Sequence, residues 1–126
     1  MSESGKRAFV VAADDDRDVV ELVAIILGRA GYEVMTADDG KQALQIILDR
    51  LPDVCILDGV MPGLAGFDIL KAIRADERAA NVPVLILTAT VDEQREIRRH
   101  GVEPDAFMSK PFEAEALIAA VERLLD

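Results

Sequence analysis

Five short runs of apolar residues recur along the chain, and each gives way to a longer stretch in which apolar residues repeat with a helical period. The runs are Phe9–Ala13, Tyr32–Thr36, Val54–Asp58, Val84–Thr88 and Ala106–Ser109. Strands that stay apolar on successive residues are buried on both faces, and that happens where crossover helices cover both sides of a parallel sheet. The pattern predicts an α/β fold: a (βα)5, doubly wound, five-stranded parallel sheet in a flavodoxin-like three-layer sandwich with right-handed crossovers. The expected helices run from Arg17 to Ala30 with Asp16 as cap and Gly31 as stop, Lys41 to Arg50, Phe67 to Ala75, Asp92 as cap to His100, and Glu113 to Leu125. Val19, Val20, Leu22, Val23, Ile26, Leu27 and Ala30 form the expected inward stripe of the first helix. Gly28 costs that helix stability unless a neighbour packs closely against it.

A chain of 126 residues with 51% hydrophobic composition can bury one core without staples, so a single domain over residues 1–126 is expected, its core spanning about 7–125. Nothing marks a linker or a repeat. The lone Cys55 lies inside an apolar run and reads as a small core residue, compatible with a reducing cytoplasm. The polar N-terminus does not resemble a signal peptide, and acids interrupt every apolar run before it reaches membrane-spanning length, so a soluble, cytoplasmic protein is expected. A formal net charge of −10 argues against direct nucleic-acid binding, and no membrane contact is expected.

In a parallel sheet, ligands collect outside the carboxyl ends of the strands. Here the first strand ends in Asp14-Asp15, the third in Asp58, the fourth in Thr88 and the fifth in Ser109-Lys110. Asp before Gly is commonly a turn residue, so Asp58 alone decides nothing. Three carboxylates converging on one edge would raise one another's pKa unless a cation compensates, and oxygen donors with room for water and phosphate suit Mg²⁺. With the metal bridging carboxylates and a phosphoryl group, Lys110 and Thr88 could hold the remaining phosphoryl oxygens and Asp58 could act as the nucleophile.

Taken together, Asp14-Asp15 after an apolar strand, Leu57-Asp58-Gly59-Val60-Met61-Pro62-Gly63 with Gly66 beyond, Leu87-Thr88-Ala89, and Lys110-Pro111-Phe112 resemble the receiver domain of bacterial two-component response regulators, the CheY-like family. The resemblance covers about Arg7 to Leu125, and Thr88 stands 30 residues after Asp58 and 22 before Lys110, both usual family separations. It implies that Asp58 accepts a phosphoryl group from the phospho-His of a histidine kinase or histidine phosphotransfer protein. Asp14, Asp15, Asp58 and the Val60 backbone carbonyl would hold Mg²⁺, while Thr88 and Lys110 would contact the phosphoryl group. Lys110-Pro111 would be a cis peptide, and small Ala89 would keep the site open to the donor. Thr88 and Phe107 would act as the switch, with the change read out around the fourth and fifth helices by a downstream effector or a second copy of the chain. The protein is thus expected to be a signalling phosphoacceptor that assists its own magnesium-dependent phosphorylation and dephosphorylation, and not an enzyme acting on a separate substrate.

Two positions depart from the family pattern. Phe107 stands where Tyr is frequent, and apolar Val60 stands where larger or polar side chains are common. Rival readings fit less well. A dehalogenase-type phosphatase needs a general acid where Val60 stands, a flavodoxin would need a phosphate loop where three acids follow the first strand, and the EF-hand likeness of Asp14, Asp16 and Asp18 lacks the Gly and the final Glu. The alternative that survives is a degenerate receiver acting as a phosphorylation-independent binding or dimerisation module, although the acids and the lysine it would usually lack are all present. His100 reads as a solvated residue favourable to its helix dipole, the methionines as core or loop fillers, and Arg95, Arg98 and Arg99 as solvated surface or a docking face. With nothing after Asp126, the chain is expected to be a stand-alone regulator or the first part of a longer one.

Overall fold

Side chains alternate across each strand, and here both sets are apolar. In a computed structural model, which describes residues 7–61, 64–88 and 90–126, this produces two separate cores. The Pro62-Gly63 loop and Ala89 lie outside the described residues. Val11, Ala13, Cys55, Leu57, Val84 and Ile86 point to one face of the sheet, whereas Val10, Ala12, Val54, Ile56, Leu85 and Leu87 point to the other.

The chain runs β1 (Phe9–Ala13), α1 (Arg17–Arg29), β2 (Glu33–Ala37), α2 (Gly40–Arg50), β3 (Val54–Asp58), α3 (Gly66–Ala75), β4 (Val84–Thr88), α4 (Val91–Arg99), β5 (Ala106–Ser109) and α5 (Ala114–Leu125). All strand pairs are parallel, in the order β2-β1-β3-β4-β5. Helices α1 and α5 bring Val20, Val23, Leu27, Leu117 and Val121 to one face. Helices α2, α3 and α4 cover the other with Ala43, Ile47, Ile69, Leu70, Ile73 and Ile97. Each fully buried Leu or Ile contributes roughly 1.5–3 kcal/mol. The expected doubly wound sandwich is therefore the observed one.

The differences from expectation lie at element ends. The second strand begins at Glu33, because the Tyr32 amide is taken by the Leu27 carbonyl (3.0 Å) in closing α1, with Gly31 at φ 102°. Asp39 caps α2 from Gly40, its side chain accepting from the Gln42 amide (2.8 Å). Helix α4 is capped by Thr90, whose hydroxyl accepts from the Glu93 amide (3.1 Å), and not by Asp92, which sits in the first turn where the helix dipole favours an acid. Helix α5 begins at Ala114, and Glu113 precedes it without a side-chain cap. Leu22 falls on the exposed side of α1, since a 3.6-residue period turns it away from the stripe set by Val20, Val23 and Leu27, whereas Ala30 is exposed as the residue that caps the helix beyond its last turn. Gly28 is also exposed, and nothing packs on it. Among the described residues, no helix is long and apolar enough to cross a membrane.

Candidate functional site at the carboxyl edge of the sheet

The register of the sheet assembles the site. Ala13 pairs with Leu57, which places Asp14 beside Asp58 one residue further on; Asp58 pairs with Leu87, and Thr88 pairs with Ser109. Lys110 follows, its amide donating to the Thr88 carbonyl (2.8 Å), and the Lys110-Pro111 bond is cis. Asp14, Asp15, Asp58, Thr88 and Lys110 thus meet at one sheet edge because four consecutive strands stop in step.

Asp14, Asp58 and Thr88 are buried, whereas Asp15 is exposed. Oxygens of Asp14, Asp15 and Asp58 lie within 4.8 Å of one another. The Lys110 ammonium bridges two of these acids, donating to Asp14 Oδ2 at 2.8 Å and lying 3.3 Å from Asp58 Oδ1. One cation is shared by two of the three carboxylates. Burial, and next the Asp14 charge, push the Asp58 carboxyl from its ordinary 3.8 up to about 6, against the opposing pull of Lys110 and a hydrogen bond from the Val60 amide. Lys110 is held above its ordinary range: burial alone would lower it, but its bonds and charge interactions with Asp14 and Asp58 outweigh that.

The donor set fits a hard divalent ion. All the side-chain donors are oxygens, they lie close together, and Asp58 carries a charge that its surroundings leave incompletely balanced. Beside the acids, the Thr88 hydroxyl is fully buried and accepts a long hydrogen bond from Gln94 Nε2 (3.5 Å). Gln94 was not singled out from the sequence. The available signal was its place six residues after Thr88, in the first turn of the helix that follows that strand end.

Other expected features take more specific places. Val60 is well exposed, and its amide reaches Asp58 Oδ1 at 3.4 Å. Phe107 is half-buried against the core on the α4 side, with the Arg98 guanidinium 5.0 Å from its ring centre. His100 is not simply solvated. Its ring stacks on Phe67 at 4.1 Å, bridging the C-terminal end of α4 to α3, and Glu96 lies 3.6 Å away. Arg95, Arg98 and Arg99 each stand 3.5–3.9 Å from an acidic neighbour, namely Asp92, Glu103 and Glu96. Such exposed pairs contribute little to stability.

Comparison with known proteins agrees with this geometry. A family model described as the response regulator receiver domain matches residues 10–122. The chain is 37% identical over 116 residues to the DNA-binding dual master transcriptional regulator RpaA of Synechocystis sp., covering 92% of this chain and 48% of that protein. It is 34% identical over 121 residues to the phosphate regulon transcriptional regulatory protein PhoB of Pseudomonas aeruginosa, covering 96% of this chain and 52% of that one. The chain therefore spans about half the length of these curated relatives. Among solved structures, the chemotaxis response regulator CheY4 of Vibrio cholerae superposes with a TM-score of 0.87 at 34% identity, covering 95% of this chain and 100% of that one. A putative response regulator from Chloroflexus aurantiacus also gives 0.87, at 35% identity, covering 95% of this chain and 98% of its own. With its fold, its acid-lined edge and a family match across nearly the whole length, the chain belongs to the response regulator receiver domain family.

Proposed function

We propose that Asp58 accepts a phosphoryl group from the phospho-His of a histidine kinase or a histidine phosphotransfer protein. The observation that carries this is the sharing of one ammonium, Lys110, between Asp14 and Asp58, within a cluster of three carboxylates at the strand ends. An oxygen of the Asp58 carboxylate forms a bond to phosphorus while the bond from phosphorus to the donor's imidazole nitrogen breaks, and the electron pair returns to that nitrogen. The product is an acyl phosphate. Asp58, with its pKa at about 6, is mostly ionised at neutral pH and so is ready as a nucleophile.

Asp14, Asp15, Asp58 and the Val60 carbonyl would hold Mg²⁺, which supplies charge neutralisation for the phosphoryl oxygens during transfer. Lys110 leaves Asp58 to follow a phosphoryl oxygen, and the Thr88 side chain turns so that its hydroxyl donates to another, which carries its oxygen away from Gln94. That exchange loosens α4 from the site, and the half-buried Phe107 beneath Arg98 lies where the change reaches the face formed by α4 and α5. The chain works in the cytoplasm as a signalling acceptor, its output passed to an effector or a second copy.

Intact mass after incubation with Mg²⁺ and acetyl phosphate tests this. A single phosphoryl adduct is expected, absent from Asp58→Ala and from metal-free protein. If no adduct forms and a beryllofluoride mimic produces no response, the chain is instead a phosphorylation-independent binding module.

A further inference from the structure

The β2–α2 turn contributes no side chain to the acid cluster, yet it touches the backbone on both sides of it. At one end the Ala37 carbonyl accepts from the amide of Asp14 (3.3 Å). At the other end Gly40, the buried first residue of α2, lies against the loop that follows Asp58. A Cβ built on Gly40 would overlap the Leu64 carbonyl oxygen and stand 2.7 Å from the Leu64 carbonyl carbon and 2.8 Å from its Cβ. Gly40 has ordinary helical backbone angles, so the position demands absence of a side chain for space and not for conformational freedom.

The far end of the same loop is held just as closely. A Cβ on Gly66 would meet the Asp58 carbonyl oxygen at 2.6 Å and the Gly59 Cα at 3.1 Å, and the Gly66 amide donates to the Gly59 carbonyl (3.2 Å). Leu64 is therefore held against the start of α2, and Gly66 against the end of β3. Apart from the Leu64 Cβ, which the backbone itself fixes, these obstacles are main-chain atoms, which cannot rotate away as a flexible side chain would.

We infer that the turn Ala37–Gly40 is a spacer that fixes the distance between the backbone of Asp14 and the loop after Asp58, making Gly40 a positioning residue for the carboxylate cluster. The turn itself is anchored from outside: Asp39 caps α2, and Arg17 of α1 pairs with Asp38 at 3.7 Å. Because the spacer acts through main-chain atoms, the length of the gap is set independently of whether Lys110 or a metal ion occupies it. This inference rests on the metal site proposed above only for its functional readout.

The test compares Gly40→Ala with Gly28→Ala, a glycine in α1 with open space around it. Without metal, amide resonances of Asp14, Gly59 and Val60 are expected to move in Gly40→Ala and to stay in place in Gly28→Ala. With Mg²⁺, calorimetric affinity should drop about tenfold in Gly40→Ala, the scale on which supporting residues usually act, and be unchanged in Gly28→Ala, which should also melt higher. A folded Gly40→Ala with wild-type amide positions and wild-type Mg²⁺ affinity overturns the spacer. If Gly40→Ala does not fold, Asp39→Ala removes the α2 cap that anchors the turn while leaving Gly40 in place. It must then shift the Asp14 amide and weaken Mg²⁺ several-fold, and wild-type behaviour would overturn the spacer equally. A wild-type protein that binds no Mg²⁺ overturns the metal reading, while the metal-free amide positions still decide the spacer.

Discussion

The two edges of the sheet are built on opposite electrostatic principles. At the amino edge, charges are matched and their hydrogen bonds filled. Arg74, at the end of α3, donates to the carbonyls of Ala80 (3.2 Å) and Val82 (2.8 Å) and to Asp105 Oδ2 (2.8 Å). Asp105 in turn receives the Val84 amide (2.8 Å), so one ion pair secures the starts of β4 and β5. Asp53 likewise takes the Phe9 amide (2.7 Å) before β3. At the carboxyl edge three carboxylates cluster around a single lysine that pairs with only two of them, and Asp58 is raised to about 6 by burial and by Asp14. One edge holds the fold together, whereas the other keeps a surplus of negative charge of the kind a cation would balance.

The contrast would be broken by exchanging the effects. Arg74→Ala, which orphans two carbonyls and an acid, should cost about 2–3 kcal/mol in denaturant unfolding while leaving Mg²⁺ affinity intact; a stable variant with weakened metal binding would mean the edges are not separate. At the other edge a substitution should stabilise. Asp58 binds a proton more tightly folded than unfolded, so folding stability declines as pH rises from about 4 to about 6 and stays low above that range. Asp58→Asn removes that dependence and should raise stability at pH 7 by about 1–2 kcal/mol, measured by thermal and urea unfolding across pH. A loss of stability at pH 7 would show that Asp58 is already fully compensated.

Mg²⁺ at ten times its dissociation constant should add about 1.4 kcal/mol at pH 7 and clearly less at pH 5, where protonated Asp58 competes with the ion. Equal stabilisation at both pH values would place the ion elsewhere. The smallest expected effect is at Arg98→Ala, about 0.5 kcal/mol, because its guanidinium covers the exposed side of Phe107. Its sharper readout is the Phe107 ring environment by NMR with and without beryllofluoride, which should differ more between the two states once the cover is gone.

How far the sequence reveals these edges differs as well. The carboxyl edge was readable because parallel strands end in step: locating Asp14, Asp58, Thr88 and Lys110 after apolar runs is enough to bring them together. The amino edge gave no such signal. Arg74 and Asp105 lie 31 residues apart with no periodic relation, and their partners are backbone carbonyls that any sequence supplies. The same reason hides Gly40 against Leu64 and Gln94 against Thr88, contacts set by how helices tilt across the sheet. Thr90 and Asp92, two residues apart, have nearly equal capping preference, so pattern alone does not choose between them at the start of α4. His100 was read by its helix end alone, and the ring of Phe67, on a different helix, decides its place.

One buried atom offers a clock for all of this. The Cys55 thiol sits on the central strand with no exposure, and burial pushes its ionisation far above the normal range, so reagents that need a thiolate find nothing to attack in the folded chain. Labelling then proceeds only through opening of the central strand. Three residues from Asp58, it times the global opening of the chain without a mutation or a dye. Any ligand that steadies the acid cluster will be recorded there as a delay.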